Sequence, residues 1–368
     1  MSHPQSPRSE TPRPETDRSE TDRSGTALPE TSETTRPATT RPEPVVIDCD
    51  PGIDDAVALL LAFASPELDV TGITTVAGNV GIGQVVDNAL RLCDLIGAEP
   101  DLPVARGHAG PLARAVRVPD EPVHGEGGLG GVRLPPSART AHPDHAVTWL
   151  AARLRACPPG GLTLIATAPL TNVAALLHAH PEAAPAIKEI VVMGGAAFAP
   201  GNVTPSAEFN FFADPEAARF VTEAGVPLRI VGLDVTRAAL TTRSDIDRLL
   251  ADGAPVTGAA GRMLDHLATR YARRHGVDAC AVHDALAVAA AVRPDLIEWT
   301  DAWVTVECGG EFSRGKLIAD VHGRTGFAPN AKVATGVDAD AFRAFLISRL
   351  LRTYGADAPR SGPPAAPA

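Results

Sequence analysis

The sequence lacks three features that would point to a membrane, to nucleic acid or to secretion. No run of about 18 apolar residues is free of charge, so a membrane-spanning helix is not expected. Basic residues are the minority, 33 against 44 acidic ones, and a net charge of −11 argues against a nucleic-acid partner. The five cysteines are scattered and form no CxxC pair, which favours reduced thiols in a cytoplasmic protein.

Apolar residues are also almost missing from the first 43 residues, which are mainly Ser, Thr, Pro, Arg, Glu and Asp. Such a segment cannot bury enough surface to offset its ordering entropy, so residues 1–43 are predicted to be disordered. The segment lacks the apolar stretch of a secretory signal peptide. It also contains many acidic residues, which are rare in transit peptides. Residues 356–368, rich in Pro and Ala, form a second predicted tail. Residues 44–355 are predicted to be one domain.

Within this domain strand-like and helix-like runs alternate, which predicts an α/β fold with a mostly parallel, doubly wound, Rossmann-like sheet and flanking helices. Strands are expected near residues 45–47, 70–76, 162–167, 190–193, 228–233 and 303–307. Helices are expected near residues 55–64, 85–96, 144–156, 172–179, 215–224, 259–274, 284–292 and 339–351. The Gly-rich stretch His124–Gly131 predicts a mobile loop, of the kind that often covers a pocket.

Four carboxylates lie within eight residues directly after the first predicted strand: Asp48, Asp50, Asp54 and Asp55. In open α/β sheets ligands bind where strands end and the chain turns into a helix. Like charges crowded there repel each other unless a cation lies among them, and oxygen ligands favour Ca²⁺ or Mg²⁺. Gly52 permits the tight turn that brings the later acids back to the earlier ones. The sequence therefore predicts a metal site, with a charged helix-capping turn as the structural alternative.

Two known acid-rich motifs are alternative interpretations of this cluster, and each matches it only in part. An EF-hand loop needs Gly and Glu at positions 6 and 12, where this chain has Ile53 and Leu59. A haloacid-dehalogenase-like phosphatase would use Asp48 as nucleophile and Asp50 as acid/base, but Gly52 stands where that family carries Thr or Val. The EF-hand is excluded, and the phosphatase remains an alternative.

Later motifs point to one family by their order along the chain. They are Thr75-Val76-Ala77-Gly78-Asn79, His124-Gly125-Glu126-Gly127-Gly128, Thr167-Ala168-Pro169-Leu170-Thr171-Asn172, Val192-Met193-Gly194-Gly195, Asn202, Ala207-Glu208-Phe209-Asn210 with Asp214-Pro215-Glu216-Ala217-Ala218, and Val282-His283-Asp284-Ala285. Together with the acid cluster they resemble the inosine–uridine-preferring nucleoside hydrolase family, from about Val45 to Leu351. The first acid motif and the AEFNxxxDPEAA string are specific, whereas the short pairs count only through their order.

The resemblance implies hydrolysis of the N-glycosidic bond of ribonucleosides to ribose and free nucleobase, with bound Ca²⁺ and assembly into a homodimer or homotetramer. The implied calcium ligands are Asp50, Asp55, Asp284 and the Thr167 carbonyl, with Asp48 in support. Asp50 would also be the general base for a calcium-bound water, and His283 the acid for the leaving base. The implied substrate contacts are Asp54, Asn79, Met193, Asn202, Glu208 and Asn210, and His124 and Tyr271 are candidate nucleobase contacts. Purine or pyrimidine preference is left open.

These residue types suit that chemistry, because an oxocarbenium-like transition state needs a positioned water, a base and a proton donor for the leaving group. Asn172 is expected only to cap its helix, and Glu208 and Asn210 to alternate on an extended stretch. Gly127 stands where many members of the family carry a polar residue, and Ala168 stands where Gly is common. A non-catalytic nucleoside- or ribose-binding relative remains the second alternative.

Overall fold

The fold is taken from a computed structural model, which describes residues 41–114 and 123–358. Within these ranges the strands are β1 (Glu43–Cys49), β2 (Leu68–Thr75), β3 (Val104–Arg106), β4 (Leu162–Ala166), β5 (Ile187–Met193), β6 (Leu228–Val231), β7 (Leu240–Thr242), β8 (Ala279–Ala281), β9 (Ile297–Val306), β10 (Leu317–Asp320) and β11 (Ala331–Val337). The helices are α1 (Ile53–Phe63), α2 (Ile82–Ile96), α3 (Ala146–Arg155), α4 (Thr171–Ala179), α5 (Phe209–Ala213), α6 (Pro215–Glu223), α7 (Leu233–Thr236), α8 (Arg243–Asp252), α9 (Pro255–His275), α10 (His283–Val292) and α11 (Ala339–Tyr354). Two short 3₁₀ helices cover Pro181–Ala186 and Pro294–Leu296.

Nine strands form one sheet in the order β10-β9-β11-β6-β5-β4-β1-β2-β3, and β7 pairs with β8 in a small antiparallel sheet. Every neighbouring pair from β3 to β11 is parallel, and β9 runs antiparallel to both β11 and β10. The predicted fold class, a mostly parallel sheet with flanking helices, is confirmed.

The strand order reverses its direction between β1 and β4. From β1 the chain moves outward through β2 to β3, and from β4 it moves the other way through β5 to β6. In open α/β sheets such a switch point leaves a crevice at the carboxyl ends of the strands, where ligands bind. Because Asp48 is paired with both Thr74 and Ala166, the ends of three neighbouring strands lie level at this edge.

The two faces of the sheet bury separate apolar clusters, and β1 contributes to both. Val45, Ile47 and Cys49 pack with α1, α2, α9, α10 and α11, whereas Val46 packs with α3, α4 and α6 on the opposite face. This alternation follows from the two-residue repeat of a strand. Asp48 therefore points to the same face as Val46, towards α4.

All the helices and strands expected from the sequence are present, although their ends shift by up to several residues. The predicted strand 228–233 ends at Val231, because Gly232 and Leu233 turn towards β5 and the N–H of Leu233 donates to the Gly195 carbonyl. The sequence did not indicate β3, β7, β8, β10, β11, α5, α7 or α8. Most of the predicted tails lies outside the described residues, and Glu43 already belongs to β1.

Asp214 connects two helices and a loop from a fully buried position. One carboxylate oxygen caps α6 at the N–H of Ala217, and the other accepts from the Thr171 hydroxyl and the Leu112 N–H. Its replacement removes a helix cap and leaves buried donors without an acceptor.

We expect Asp214→Ala to lower the free energy of unfolding by about 3 kcal/mol, measured by urea denaturation. Asp338, which caps α11 through the N–H of Ala341 near the surface, is the matched control. Asp338→Ala should cost about 1 kcal/mol. Equal losses in the two variants would contradict the role given to the buried partners.

Candidate active site

The acid cluster occupies the turn between β1 and α1, and Asp55 holds that turn together. Its Oδ1 accepts from the N–H of Asp50 at 3.3 Å and the Thr167 hydroxyl at 2.9 Å. Its Oδ2 accepts from the N–H of Gly52 and the Asn79 amide, both at 3.1 Å. Because α1 begins after Gly52, the bond from the Gly52 N–H to Asp55 also satisfies the N-cap residue of this helix.

Asp50 lies just beyond β1 against the loop that follows β2. Its Oδ2 accepts from the backbone N–H of Asn79, whereas its buried Oδ1 has no hydrogen-bond partner among the described residues. Gly78 makes this approach possible, since a Cβ there would lie 2.0 Å from Asp50 Oδ2. Burial, followed by the nearby Asp55, raises the pKa of Asp50 well above its usual range.

Side chains from β2 and α4 hold the Asp48 carboxylate in place. Its Oδ1 accepts from the Thr74 hydroxyl at 2.6 Å and from the Asn172 amide at 2.8 Å. The Asn172 amide oxygen accepts in turn from the N–H of His108. The expectation that Asn172 merely caps its helix is therefore wrong, because the N-cap position belongs to Leu170 and the Asn172 side chain points inward to Asp48.

Three carboxylates form a group that could hold a metal ion. One oxygen each from Asp54, Asp55 and Asp284 lies within 4.8 Å of the others, and all three residues are buried. Burial raises the pKa of Asp55 to about 6 and the pKa of Asp284 well above its usual range. The buried Asp54 Oδ1 and Asp50 Oδ1 lack hydrogen-bond partners among the described residues, so this oxygen-rich cluster fits a hard divalent cation. Asp50, an expected ligand, lies beside this triad.

Residues after β4 and β5 lie at the same edge of the sheet as the acids. The Asn210 amide donates to the carbonyls of Thr167, at 2.9 Å, and Met193, at 3.1 Å, which leaves its own oxygen as an acceptor. Glu208 accepts from the backbone N–H groups of Gly195, Asn210 and Phe211. The expected extended stretch is wrong here, because Glu208 caps α5 and thereby starts a helix. Burial raises the pKa of Glu208 to about 7.

Two histidines lie on another side of the acids. The His124 Nδ1 accepts from the N–H of Ile53 at 3.1 Å and lies 3.8 Å from Asp54 Oδ1, and burial lowers its pKa to about 4. His283 begins α10, directly before Asp284, and its Nδ1 lies 2.7 Å from the Thr236 hydroxyl. Burial lowers the pKa of His283, and the charge of Asp54 acts against this shift.

The remaining candidates are placed less centrally. Asn202 is exposed in the loop after β5, and its backbone N–H donates to the Ala207 carbonyl. Tyr271 is half-buried on α9, where its ring packs against His275 at 4.4 Å between centroids. Ala168 is fully buried, whereas Gly127 is exposed, and a Cβ added at Gly127 would meet no described atom within 4 Å.

Two of the positioning residues were not singled out from the sequence. Asn88 on α2 is buried, and its amide donates to the carbonyls of Pro51 and Gly127 at 2.9 Å each, which ties the Gly-rich loop to the acid turn. Thr236 lies in a four-residue helix and contacts His283. Asn88 was missed because a single Asn in an amphipathic helix gives no local indication that its side chain binds two distant carbonyls. The turns and positive φ angles of residues 124–131 agree with the predicted irregular loop.

The fold and the acid cluster together define an α/β protein with a candidate metal site at the switch point of its sheet. The chain belongs to the inosine-uridine preferring nucleoside hydrolase family, whose model matches residues 45–344. The family resemblance and the expected ribonucleoside hydrolase activity are therefore confirmed, and the phosphatase alternative loses its support. None of the helices in the described ranges combines the length and apolar character that a bilayer crossing needs.

Individual relatives agree with this membership. The chain is 41% identical over 308 residues to the pyrimidine-specific ribonucleoside hydrolase RihA of Salmonella gallinarum, covering 83% of this chain and 98% of the relative. A plant nucleoside hydrolase structure, PpNRh1, superposes with a TM-score of 0.80 at 34% identity, covering 84% and 99%. A purine-preferring ribonucleoside hydrolase from Gardnerella vaginalis superposes with a TM-score of 0.78 at 32% identity, covering 84% and 98%.

The contact between Gly78 and Asp50 generates a test of the site. We expect Gly78→Ala to displace the Asp50 carboxylate and lower kcat/KM for nucleoside hydrolysis roughly 100-fold, the usual result of a misplaced reacting group. Gly81→Ala is the matched control, because no described atom lies within 4 Å of the added Cβ. A Gly78→Ala enzyme with full activity would show that Asp50 need not occupy this position.

Proposed function

We propose that this protein hydrolyses pyrimidine ribonucleosides such as uridine and cytidine to ribose and the free base. The observation that carries the proposal is the meeting of buried acids with unpartnered oxygens, Asp50 and Asp54, and a histidine, His283, in one crevice of the described chain. The pyrimidine preference is supported by the specificity of the RihA relatives, which are 41–42% identical to this chain.

We further propose calcium as the bound ion. Asp50, Asp55, Asp284 and the Thr167 carbonyl would hold it, with Asp48 in support, because the donor set is entirely oxygen and calcium accepts many such ligands. The triad geometry also supports a ligand role for Asp54. When bound, the ion supplies a lower pKa for water and a fixed position for the ribose hydroxyls.

The chain's own residues divide the reaction between them. Asp50 takes the proton of the attacking water on Oδ1, the oxygen that has no other partner among the described residues. Asp54 accepts from a ribose hydroxyl, and Asn210 offers its amide oxygen to another, since its amide nitrogen is engaged with two carbonyls. Positive charge develops on the sugar as the glycosidic bond breaks, and the surrounding carboxylates stabilise it.

Further ribose and base contacts complete the proposal. Asn79, Met193, Asn202 and Glu208 are proposed to surround the sugar, and His124 and Tyr271 to approach the base. On the leaving side His283 donates a proton or a hydrogen bond to the nucleobase as its nitrogen gains electron density.

The setting proposed for the enzyme is a cytoplasmic homodimer or homotetramer that binds no nucleic acid. All five cysteines are unpaired, three of them buried, as in proteins of a reducing compartment. The acidic balance of the chain supports the absence of a nucleic-acid partner.

The proposed reaction is tested by incubating the protein with uridine, cytidine, inosine and adenosine and measuring free ribose. We expect the pyrimidine nucleosides to react fastest, EDTA to abolish the reaction, and added Ca²⁺ to restore it. Phosphate release from phosphoesters without ribose release would instead support the phosphatase. Nucleoside binding without turnover, measured by calorimetry, would support a non-catalytic relative.

The role of Asp50 generates a second test. We expect Asp50→Asn to lower kcat for uridine roughly 10³-fold, because the amide keeps the shape of the carboxylate but cannot accept the proton of water. Asp69→Asn, an exposed position at the start of β2, is the control for the change of charge. A near wild-type rate for Asp50→Asn would remove its role as the base.

A further inference from the structure

Five side-chain hydrogen bonds from Asp234 and Arg237 hold the short helix α7 against the loop after β5. The Asp234 carboxylate accepts from the three successive N–H groups of residues 197–199, at 2.7–2.9 Å. The Arg237 guanidinium donates to the carbonyls of Pro200 and Gly201 at 2.8 and 2.7 Å. Charge-assisted bonds of this kind are stronger than neutral ones, so they hold α7 firmly against this loop.

Thr236 is the last residue of α7, and its side chain faces the histidine of the active site. It is 1% exposed, and its Oγ1 lies 2.7 Å from the Nδ1 of His283. The two residues come from different elements, the end of α7 and the start of α10. This helix thus presents a buried hydroxyl to one nitrogen of the His283 ring.

The direction of this hydrogen bond follows from the surroundings of the hydroxyl. Within the described residues the Thr236 Oγ1 has no second acceptor for its hydrogen. If Nδ1 carried a proton and donated it, the hydroxyl hydrogen would be buried without an acceptor, which costs about 1–3 kcal/mol. The hydroxyl therefore donates to Nδ1, and the proton of the neutral imidazole lies on Nε2.

We propose that Thr236 is a positioning residue that selects the Nε2–H tautomer of His283 and aims this N–H at the leaving nucleobase. The inference rests on the proposed role of His283 at the leaving group. In this tautomer the neutral imidazole donates a hydrogen bond from Nε2 to the departing base. In the opposite tautomer the proton is on Nδ1, and Nε2 would present a lone pair to the base. A lone pair would repel the electron density that the base acquires as the glycosidic bond breaks.

Kinetics of three threonine variants test the proposal. We expect Thr236→Val to lower kcat for uridine roughly 10- to 100-fold with little change in KM, and Thr236→Ser to restore most of the rate. Thr241→Val is the matched control, because Thr241 is also fully buried and its hydroxyl has no hydrogen-bond partner in the part of the chain that the structure describes. A Thr236→Val enzyme as active as the control, or a Thr236→Ser enzyme as slow as Thr236→Val, would overturn the proposal.

A substrate with an activated leaving group separates positioning from general damage. The p-nitrophenolate of p-nitrophenyl riboside departs without a proton, so Thr236→Val and His283→Ala should both hydrolyse this substrate at about the wild-type rate. If His283→Ala loses uridine turnover but Thr236→Val does not, the inference fails while the proposed function stands. If His283→Ala keeps full uridine turnover, the acid role in the proposed function fails, and the inference falls with it.

The tautomer itself can be observed without any assay of activity. In a protein labelled with ¹⁵N-histidine, the His283 signals, assigned by their loss in His283→Ala, should show protonated Nε2 and unprotonated Nδ1. Thr236→Val should shift these signals towards a mixture of tautomers, and Thr236→Ser should not. A protonated Nδ1 in the unmodified protein would overturn the proposal directly.

Discussion

The structure depends on keeping several carboxylates buried together at one end of the sheet. Each buried acid loses its hydration, and each adds to the repulsion felt by the others, which is why their pKa values rise. Asp55 and Glu208 offset this cost with bonds to both carboxylate oxygens. Asp48, Asp50 and Asp54 each keep a buried oxygen without a hydrogen-bond partner among the described residues. The hydrogen bonds thus separate acids whose two oxygens are both bonded from acids that keep one oxygen free.

The donors that make this burial possible come from neighbouring strands and not from the acid turn alone. Asn79 follows β2, Thr167 follows β4, and Asn210 follows β5. These strands end side by side only because the sheet is parallel there and reverses its order between β1 and β4. The topology therefore brings amide and hydroxyl donors around a cluster that no local segment could neutralise. Gly78 is part of the same requirement, since any side chain at that position would occupy the space of the Asp50 carboxylate.

The sequence was sufficient for the fold class and for the set of acids, because both leave local patterns: apolar runs in alternation, and carboxylates at a strand end. It was less informative about short elements. The strand β11 pairs with β6 and β9 although its register with β9 shifts between Ala334 and Gly336, and β8 has only three residues. Their existence depends on partners distant in the chain. Asn172 was misassigned for the same reason, since a polar residue near a helix start looks like a cap until Asp48 is placed beside it.

His283 and Asp284 are held in place differently from the residues that follow β4 and β5. His283 and Asp284 are neighbours at the first turn of α10, and successive helical side chains point about 100° apart. His283 therefore faces Thr236, whereas Asp284 forms the acid triad with Asp54 and Asp55. A shift of α10 would move both groups at once, so a rigid contact on His283 also fixes the position of Asp284. Because α7 is itself bound to the loop after β5 through Asp234, hydrogen bonds connect this loop, α7 and His283, and the backbone of α10 extends the connection to Asp284.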